Sequence, residues 1–249
     1  MSPSGEGGPA PAPPAAELVF GGRLGLAERY AGLLASSGVE RGLVGPREAD
    51  RIWERHLLNC AVIAEIIAAD AVVVDVGSGA GLPGIPLALA RPDLRVTLLE
   101  PMARRVTWLT EVIDELDLAV EVHRGRAEEA AVRSAIGGCD VVTARAVAPL
   151  GRLAGLALPL LRPGGMLVAM KGETAGDEVA GERDAVHGFG GRAIRLHDCG
   201  SGIVDPLTRV VLCRAPRWNA TSAEPGQLSG SVGHKGGVGE RGSRLGRFT

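Results

Sequence analysis

The sequence predicts an α/β fold: a mostly parallel seven-stranded sheet with helices on both faces, preceded by a small helical cap. Three observations carry this expectation. Seven short apolar or β-branched runs alternate with helical patterns from residue 72 onward, four glycines fall within the eight residues from Gly77 to Gly84, and residues 18 to 69 show helical spacing alone. Strands that alternate with helices pair in parallel, and a sheet covered on both faces binds its ligands beyond the carboxyl ends of its strands.

Taken in order, residues 1–16 (MSPSGEGGPAPAPPAA) are rich in proline, glycine and alanine and lack periodic hydrophobics, so they read as a disordered arm. Residues 17–70 form the cap. One stripe is Leu26, Tyr30, Leu33 and Leu34, and a second is Ile52, His56, Cys60, Ile63 and Ile67, with Gly38 and Gly45-Pro46 as punctuation. The stretch Ala71–Ala90 (AVVVDVGSGAGLPGIPLALA) reads as strand, tight loop and helix. A second strand, 95–99, ends in Glu100, and an amphipathic helix follows over 101–116 with Pro101 in its first turn. Further strands are expected at 120–123, 140–144, 166–171, 193–197 and 208–214, with helices near 127–136, 149–161 and 175–188. Residues 71–215 thus form the main domain. From 216 to 249 glycine and serine accumulate, arginine and lysine slightly outnumber acids, and periodicity ends; this reads as a flexible tail or a loose electrostatic tether to RNA.

Composition narrows the class. A chain of 249 residues, 45% of them hydrophobic, can bury one substantial core, and a formal charge of −2 supplies no global basic field, so a nucleic-acid contact would rest on a local patch. Cys60, Cys139, Cys199 and Cys213 are far apart with no C-x-x-C pair, which reads as buried thiols in a reducing, cytoplasmic setting, with no disulfide frame and no metal. No segment resembles an export signal, and no run of 18 apolar residues suggests a membrane span.

The glycine loop can be read in two frames. From Gly79 it spells G-x-G-x-x-G, the dinucleotide fingerprint, which would imply an NAD-dependent oxidoreductase. From Asp75 it spells D-x-G-x-G-x-G, with an acid inside the strand and the first glycine two residues on, similar to motif I of the class I S-adenosylmethionine (SAM) methyltransferases and their Rossmann-like fold. The second frame is favoured because the first sets its glycines late and places Pro83 where a continuous helix is wanted. Gly77 and Gly79 supply the conformational freedom to approach a cofactor closely. Glu100, about 20 residues after the glycines, is placed for ribose hydroxyls in either frame. The topology sets Gly77, Glu100, Arg126, Arg145 and Lys171 on one rim.

From Leu18 to Ala215 the chain resembles the family of ribosomal RNA small subunit methyltransferase G, once called glucose-inhibited division protein B. The resemblance rests on DVGSGAGLPGIPLALARPD (75–93), supported by Arg55-His56-Leu57-Leu58-Asn59, Leu98-Leu99-Glu100 with Arg104-Arg105, Arg126-Ala127-Glu128-Glu129, Ala144-Arg145-Ala146 and Lys171-Gly172. Arg162-Pro163-Gly164-Gly165 resembles the turn before the fifth strand of class I methyltransferases. The family often has aspartate at the positions of Asn59 and Glu100.

The resemblance implies that Gly77 and Leu82 touch SAM, that Ala127 and Glu128 flank its adenine, that Glu100 holds its ribose and that Arg145 closes the pocket. It implies methyl transfer to guanine N7 in the 530 loop of 16S ribosomal RNA, either free or in the small ribosomal subunit. The alternatives are a methyltransferase acting on another RNA or a small molecule, and the oxidoreductase above. Glu128 and Glu129 also fit as first-turn acids stabilised by the helix dipole. His56, on an apolar stripe, reads as a hydrogen-bonded core residue, and Lys171 and Arg209 read as RNA phosphate contacts or as plain surface charges. Residues 143–150 (TARAVAPL) hold no carboxylate, histidine or aromatic, so no general base is expected there and Arg145 is a positioning candidate. Aromatics are only 3% of the chain, which disfavours a stacking platform for RNA and favours recognition by shape.

Overall fold

The computed structural model describes residues 10–217, and all but the first two residues of the tail expected over 216–249, with most of the amino-terminal arm, lie outside the described residues. Seven strands form one sheet in the order β3-β2-β1-β4-β5-β7-β6. They are β1 Val72–Val76, β2 Arg95–Glu100, β3 Val120–Arg124, β4 Cys139–Arg145, β5 Leu161–Met170, β6 Arg192–Cys199 and β7 Thr208–Arg214. The first five pair in parallel, and β7 is antiparallel to β5 and β6. Because β1 pairs with both β2 and β4, the order reverses beside β1, where a crevice opens at the carboxyl ends.

Two apolar cores flank the sheet. One face carries the cap together with α4 (Gly84–Ala90) and α5 (Ala103–Leu116), and the other carries α6 (Ala130–Ile136), α7 (Leu150–Ala157) and α8 (Ala175–Gly188). Alternation decides which residue serves which core: Val73 and Val141 face the cap side, and Val74 and Val142 face the other.

The cap is helical, as expected, but in short pieces. After α1 (Pro14–Phe20) and α2 (Leu24–Leu33), a π-helical turn spans Leu34–Gly38; then Pro46–Arg51 is 3-10, Ile52–Leu58 π-helical, Asn59–Ala61 α-helical (α3) and Val62–Ile66 3-10. The stripe Ile52, His56, Cys60, Ile63 and Ile67 is nonetheless buried throughout, because the wider and tighter turns compensate in phase.

Four boundaries differ from expectation. The ordered cap begins inside the stretch assigned to the arm: Pro14 opens α1, Ala16 is fully buried and the Ala10 carbonyl accepts a 2.9 Å hydrogen bond from Trp53 Nε1. A proline at the first helical position followed by two alanines is a good helix start, which the low-complexity look of the arm conceals. Helix α5 starts at Ala103, not Pro101, because the Met102 N–H is taken by Glu100 Oε1 at 2.9 Å and keeps the chain extended. Helix α6 starts at Ala130, leaving Ala127 and Glu128 in a turn. The Arg162–Gly165 turn lies within β5, beside a register irregularity between Cys139 and Val141.

Candidate active site

The loop after β1 is fastened from beneath by two buried acids. Asp75 Oδ1 accepts from Thr143 Oγ1 of β4 at 2.9 Å, and Oδ2 accepts from the Gly84 N–H at the start of α4 at 3.2 Å. One carboxylate thus joins two strands and a helix N-terminus. Burial raises the Asp75 pKa to about 7, although Thr143 and the other hydrogen bonds pull it down. Glu100 is fully buried; its Oε2 accepts from the Gly79 N–H at 3.0 Å and its Oε1 from Met102. It therefore braces the loop from below instead of lining the cavity, as a ribose contact would.

From above, the Ala80 carbonyl accepts two hydrogen bonds of 2.9 Å, from Tyr30 Oη of the cap and from Trp108 Nε1 of α5. Both side chains are buried, so the loop is clamped on each side by groups with no competing water. Gly77 has φ +68°, and a Cβ there would lie 2.9 Å from Val147 Cγ2. Gly79 has φ +58°, and a Cβ there would make only an ordinary contact, 3.7 Å from the Gly77 carbonyl oxygen, so its requirement is conformational, not steric.

Gly77 borders a cavity of about 180 Å³ at the carboxyl ends of β1, β2 and β4. Its walls are Val76, Leu99 and Pro101 on one side, Gly125 to Glu128 on a second, and Val147, Ala148, Arg152 and Leu156 on a third. Of the expected cofactor residues, Gly77, Ala127 and Glu128 meet here, joined by Arg126. Gly79 and Glu100 form the underlying support. Leu82, half-buried, packs against the cap-side core. Val147 and Arg152 were missed, because they belong to a loop and a helix with no recognisable motif; the overlap with Gly77 is visible only in three dimensions.

Arg145 ends β4 but turns toward the cap instead of the cavity. Its Nη2 is 2.8 Å from His56 Nδ1 and its Nη1 donates to Cys60 Sγ at 3.2 Å. Since guanidinium only donates, His56 Nδ1 is the acceptor and its proton sits on Nε2. Nε2 lies 3.3 Å from Glu48 Oε2, off the hydrogen-bond direction, and Glu48 Oε1 pairs with Arg55 at 2.9 Å. Burial, and then the Arg145 charge, lower the His56 pKa to about 4, so the ring stays neutral at pH 7. Burial likewise pushes the Cys60 thiol up to about 11, against the pull of Arg145. The residue after Arg145, Ala146, has φ +55°, an uncommon conformation for a side chain with a Cβ.

Lys171 and Arg209 are both engaged. Lys171 Nζ donates to Glu178 Oε1 at 2.7 Å and to the Ala148 carbonyl at 3.0 Å, which ties β5 to the loop after β4. Arg209 forms a two-pronged pair with Asp198 at 2.8 and 3.0 Å. Asn59 Oδ1 accepts from Thr208 Oγ1 at 2.9 Å, fastening the cap to β7. Lys171, Arg209 and Asn59 border a wider groove of about 860 Å³ between the cap and β7, whose arginines and lysine are matched by Glu54, Glu173, Asp198 and Asp205.

No helix among the described residues is long and apolar enough to cross a membrane. Among solved structures, the chain is similar to the SAM-dependent methyltransferase SibL, with a TM-score of 0.54 at 21% identity, covering 82% of this chain and 70% of that one. It is also similar to the [4+2]-cyclase SpnF, with a TM-score of 0.52 at 16% identity, covering 83% and 98%. These likenesses establish the Rossmann-like class I methyltransferase fold. A protein of Mycolicibacterium gilvum named ribosomal RNA small subunit methyltransferase G is 52% identical over 220 residues, 88% of this chain and 95% of its own. The protein of that name from Salinispora tropica is 58% identical over 204 residues, 79% and 84% of the two chains. The family model described as rRNA small subunit methyltransferase G matches residues 23–204. With that match running through the cap, the glycine loop and the rim residues just described, the chain belongs to the rRNA small subunit methyltransferase G family.

Proposed function

We propose that this member of the family transfers the methyl group of SAM to N7 of a guanine in the 530 loop of 16S ribosomal RNA. The observation that supports it best is the cavity where the order of strands reverses, bordered by a glycine at which a Cβ would crowd Val147 and strain the backbone. The residues present fit the cofactor. Apolar Val76, Leu99 and buried Ala127 suit an adenine ring, Glu128 offers an acceptor at the mouth, and Gly77 lets the backbone approach. SAM supplies an electrophilic methyl group on a sulfonium centre.

The remaining work is alignment. Guanine N7 carries no proton and presents its own lone pair, so transfer requires positioning rather than a base. The site matches that need: residues 143–150 hold no carboxylate or histidine, and the nearby His56 has its Nδ1 occupied by Arg145 and a pKa of about 4. Arg145, oriented by His56 and Cys60, contributes a fixed positive charge at the rim for the guanine or its phosphate. Asp75 and Glu100 act at one remove, by holding the loop that shapes the cavity.

Calorimetry should detect SAM and S-adenosylhomocysteine but not NAD, and methylation of naked RNA, small subunits and small metabolites should be compared. The expected product is 7-methylguanosine. Single-turnover rates at saturating SAM should be nearly flat between about pH 6 and 9. A methyl group on N1, N2 or adenine, or a rate that climbs about tenfold per pH unit, would defeat this reading.

A further inference from the structure

Separate from the methyl-transfer site, we propose that Glu65, His197 and Cys199 form a Zn²⁺-type metal site that clips the cap to the edge of the sheet. His197 and Cys199 are two apart on β6, so both side chains leave the same face of the strand, the face that carries the cap. Asp198 between them points the other way and pairs with Arg209 across the ladder. Glu65 comes from the last helical turn of the cap, Val62–Ile66. Its Oε2 accepts from the Gly200 N–H at 3.2 Å, and its Oε1 lies 4.0 Å from His197 Nε2. The three ligand atoms all lie within 4.8 Å of one another.

In a tetrahedral zinc site, with Zn–S about 2.3 Å and Zn–N or Zn–O about 2.0 Å, donor atoms sit roughly 3.3 to 3.6 Å apart. Closing the present arrangement to that size needs movement of about an ångström, and the burial pattern says which groups move. Cys199 is fully buried, whereas the side chains of His197 and Glu65 are 40% and 46% exposed. The turn behind them is already pressed against the cap: at Gly200, φ is +87° and a Cβ would lie 3.0 Å from Val62 Cγ1. Solvent reaches the open side and supplies the fourth ligand. One sulfur, one imidazole nitrogen and one carboxylate oxygen form a donor set that suits Zn²⁺ or Co²⁺ and disfavours Mg²⁺ and Ca²⁺, which prefer all-oxygen shells. As the metal–sulfur bond forms, the thiol proton passes to solvent. Strand β6 is the last in the sheet, separated from β4 by β5 and β7, so the site stands apart from the cofactor cavity.

The test uses the full chain, stripped with a chelator and titrated with Zn²⁺ against a chromophoric competitor. One equivalent should bind at micromolar or lower concentration, with a higher melting temperature in its presence. Co²⁺ should give a thiolate-to-metal charge-transfer band and the visible bands of a tetrahedral ion. His197→Gln, at a partly exposed position, should leave the circular dichroism and SAM affinity unchanged yet weaken Zn²⁺ binding about a hundredfold, and Cys199→Ser should remove the charge-transfer band. Binding in the wild type only above about 100 μM, a cobalt spectrum without the thiolate band, or unchanged affinity in a folded His197→Gln protein would each overturn the proposal. None of these readouts depends on methyl transfer.

Discussion

The loop after β1 places its positive φ angles on Gly77, Gly79 and Gly81, whereas the loop after β4, facing it across the cavity, places one on Ala146. Their fastenings differ in the same sense. The first is held by the neighbouring acids Asp75 and Glu100, and then by Tyr30 and Trp108, every group buried. The second is held by a different set of groups: Arg145 leans on His56, Lys171 takes the Ala148 carbonyl, and Glu178 takes the Leu150 N–H at 2.7 Å. His56 is buried, but Lys171 and Glu178 are only partly so. The cofactor side of the cleft is stiff because all of its fastenings are buried. The opposite side, where Arg145 works, takes its shape from the cap and from α8.

The largest effect is expected on the stiff side. Gly77→Val should lower SAM affinity by more than a hundredfold, because the new side chain collides with Val147 and must adopt a left-handed backbone. Calorimetry on the folded variant decides it, and retained affinity would remove Gly77 from the cavity's function. The next effect tests the adaptable side. His56→Leu should reduce methyl transfer about tenfold or more with SAM affinity unchanged, since Arg145 loses its acceptor, and His56→Asn should restore part of the rate. A fall in SAM affinity equal to the fall in rate would show instead that both loops act as one.

The same histidine gives a pH signature. Its folded pKa, about 4, lies below the ordinary 6.5, so the unfolded chain binds more protons between these values. The stability contributed by neutral His56 is therefore complete above about pH 6.5 and is lost as pH falls toward 4. His56→Leu should flatten that part of the stability profile in urea titrations.

Smaller still is Tyr30→Phe, which removes one of two donors to the Ala80 carbonyl and should cost about 1 kcal/mol of unfolding free energy in denaturant. The smallest expected change has the opposite sign. Ala146→Gly relieves a left-handed alanine and should leave the protein equally stable or up to about 1 kcal/mol more stable, in contrast to any substitution at Gly77. A clear loss of stability would mean that the Ala146 methyl is packed in a way its exposure does not suggest.

The sequence by itself determined the elements and the chemistry of the cofactor loop. Short apolar or β-branched runs located all seven strands, and the spacing of Asp75, Gly77 and Gly79 marked the loop, because strand, turn and helix signals there are contiguous and short-range. The rim position of Arg145 and Glu100 also followed from alternation of strands and helices. Only the tertiary structure decided what those two side chains do. Glu100 is drawn under the loop by two backbone N–H groups, and Arg145 is drawn toward the cap by His56, 89 residues earlier in the chain. Lys171, which the sequence offers as an RNA phosphate contact or a surface charge, is paired with Glu178, and Cys199, isolated in the sequence, stands beside Glu65 of the cap at the same edge of the sheet. In each case the deciding partner is a polar group whose proximity no local pattern encodes. Burial then makes the pairing obligatory, since a charge or donor removed from water must find a partner wherever the fold supplies one.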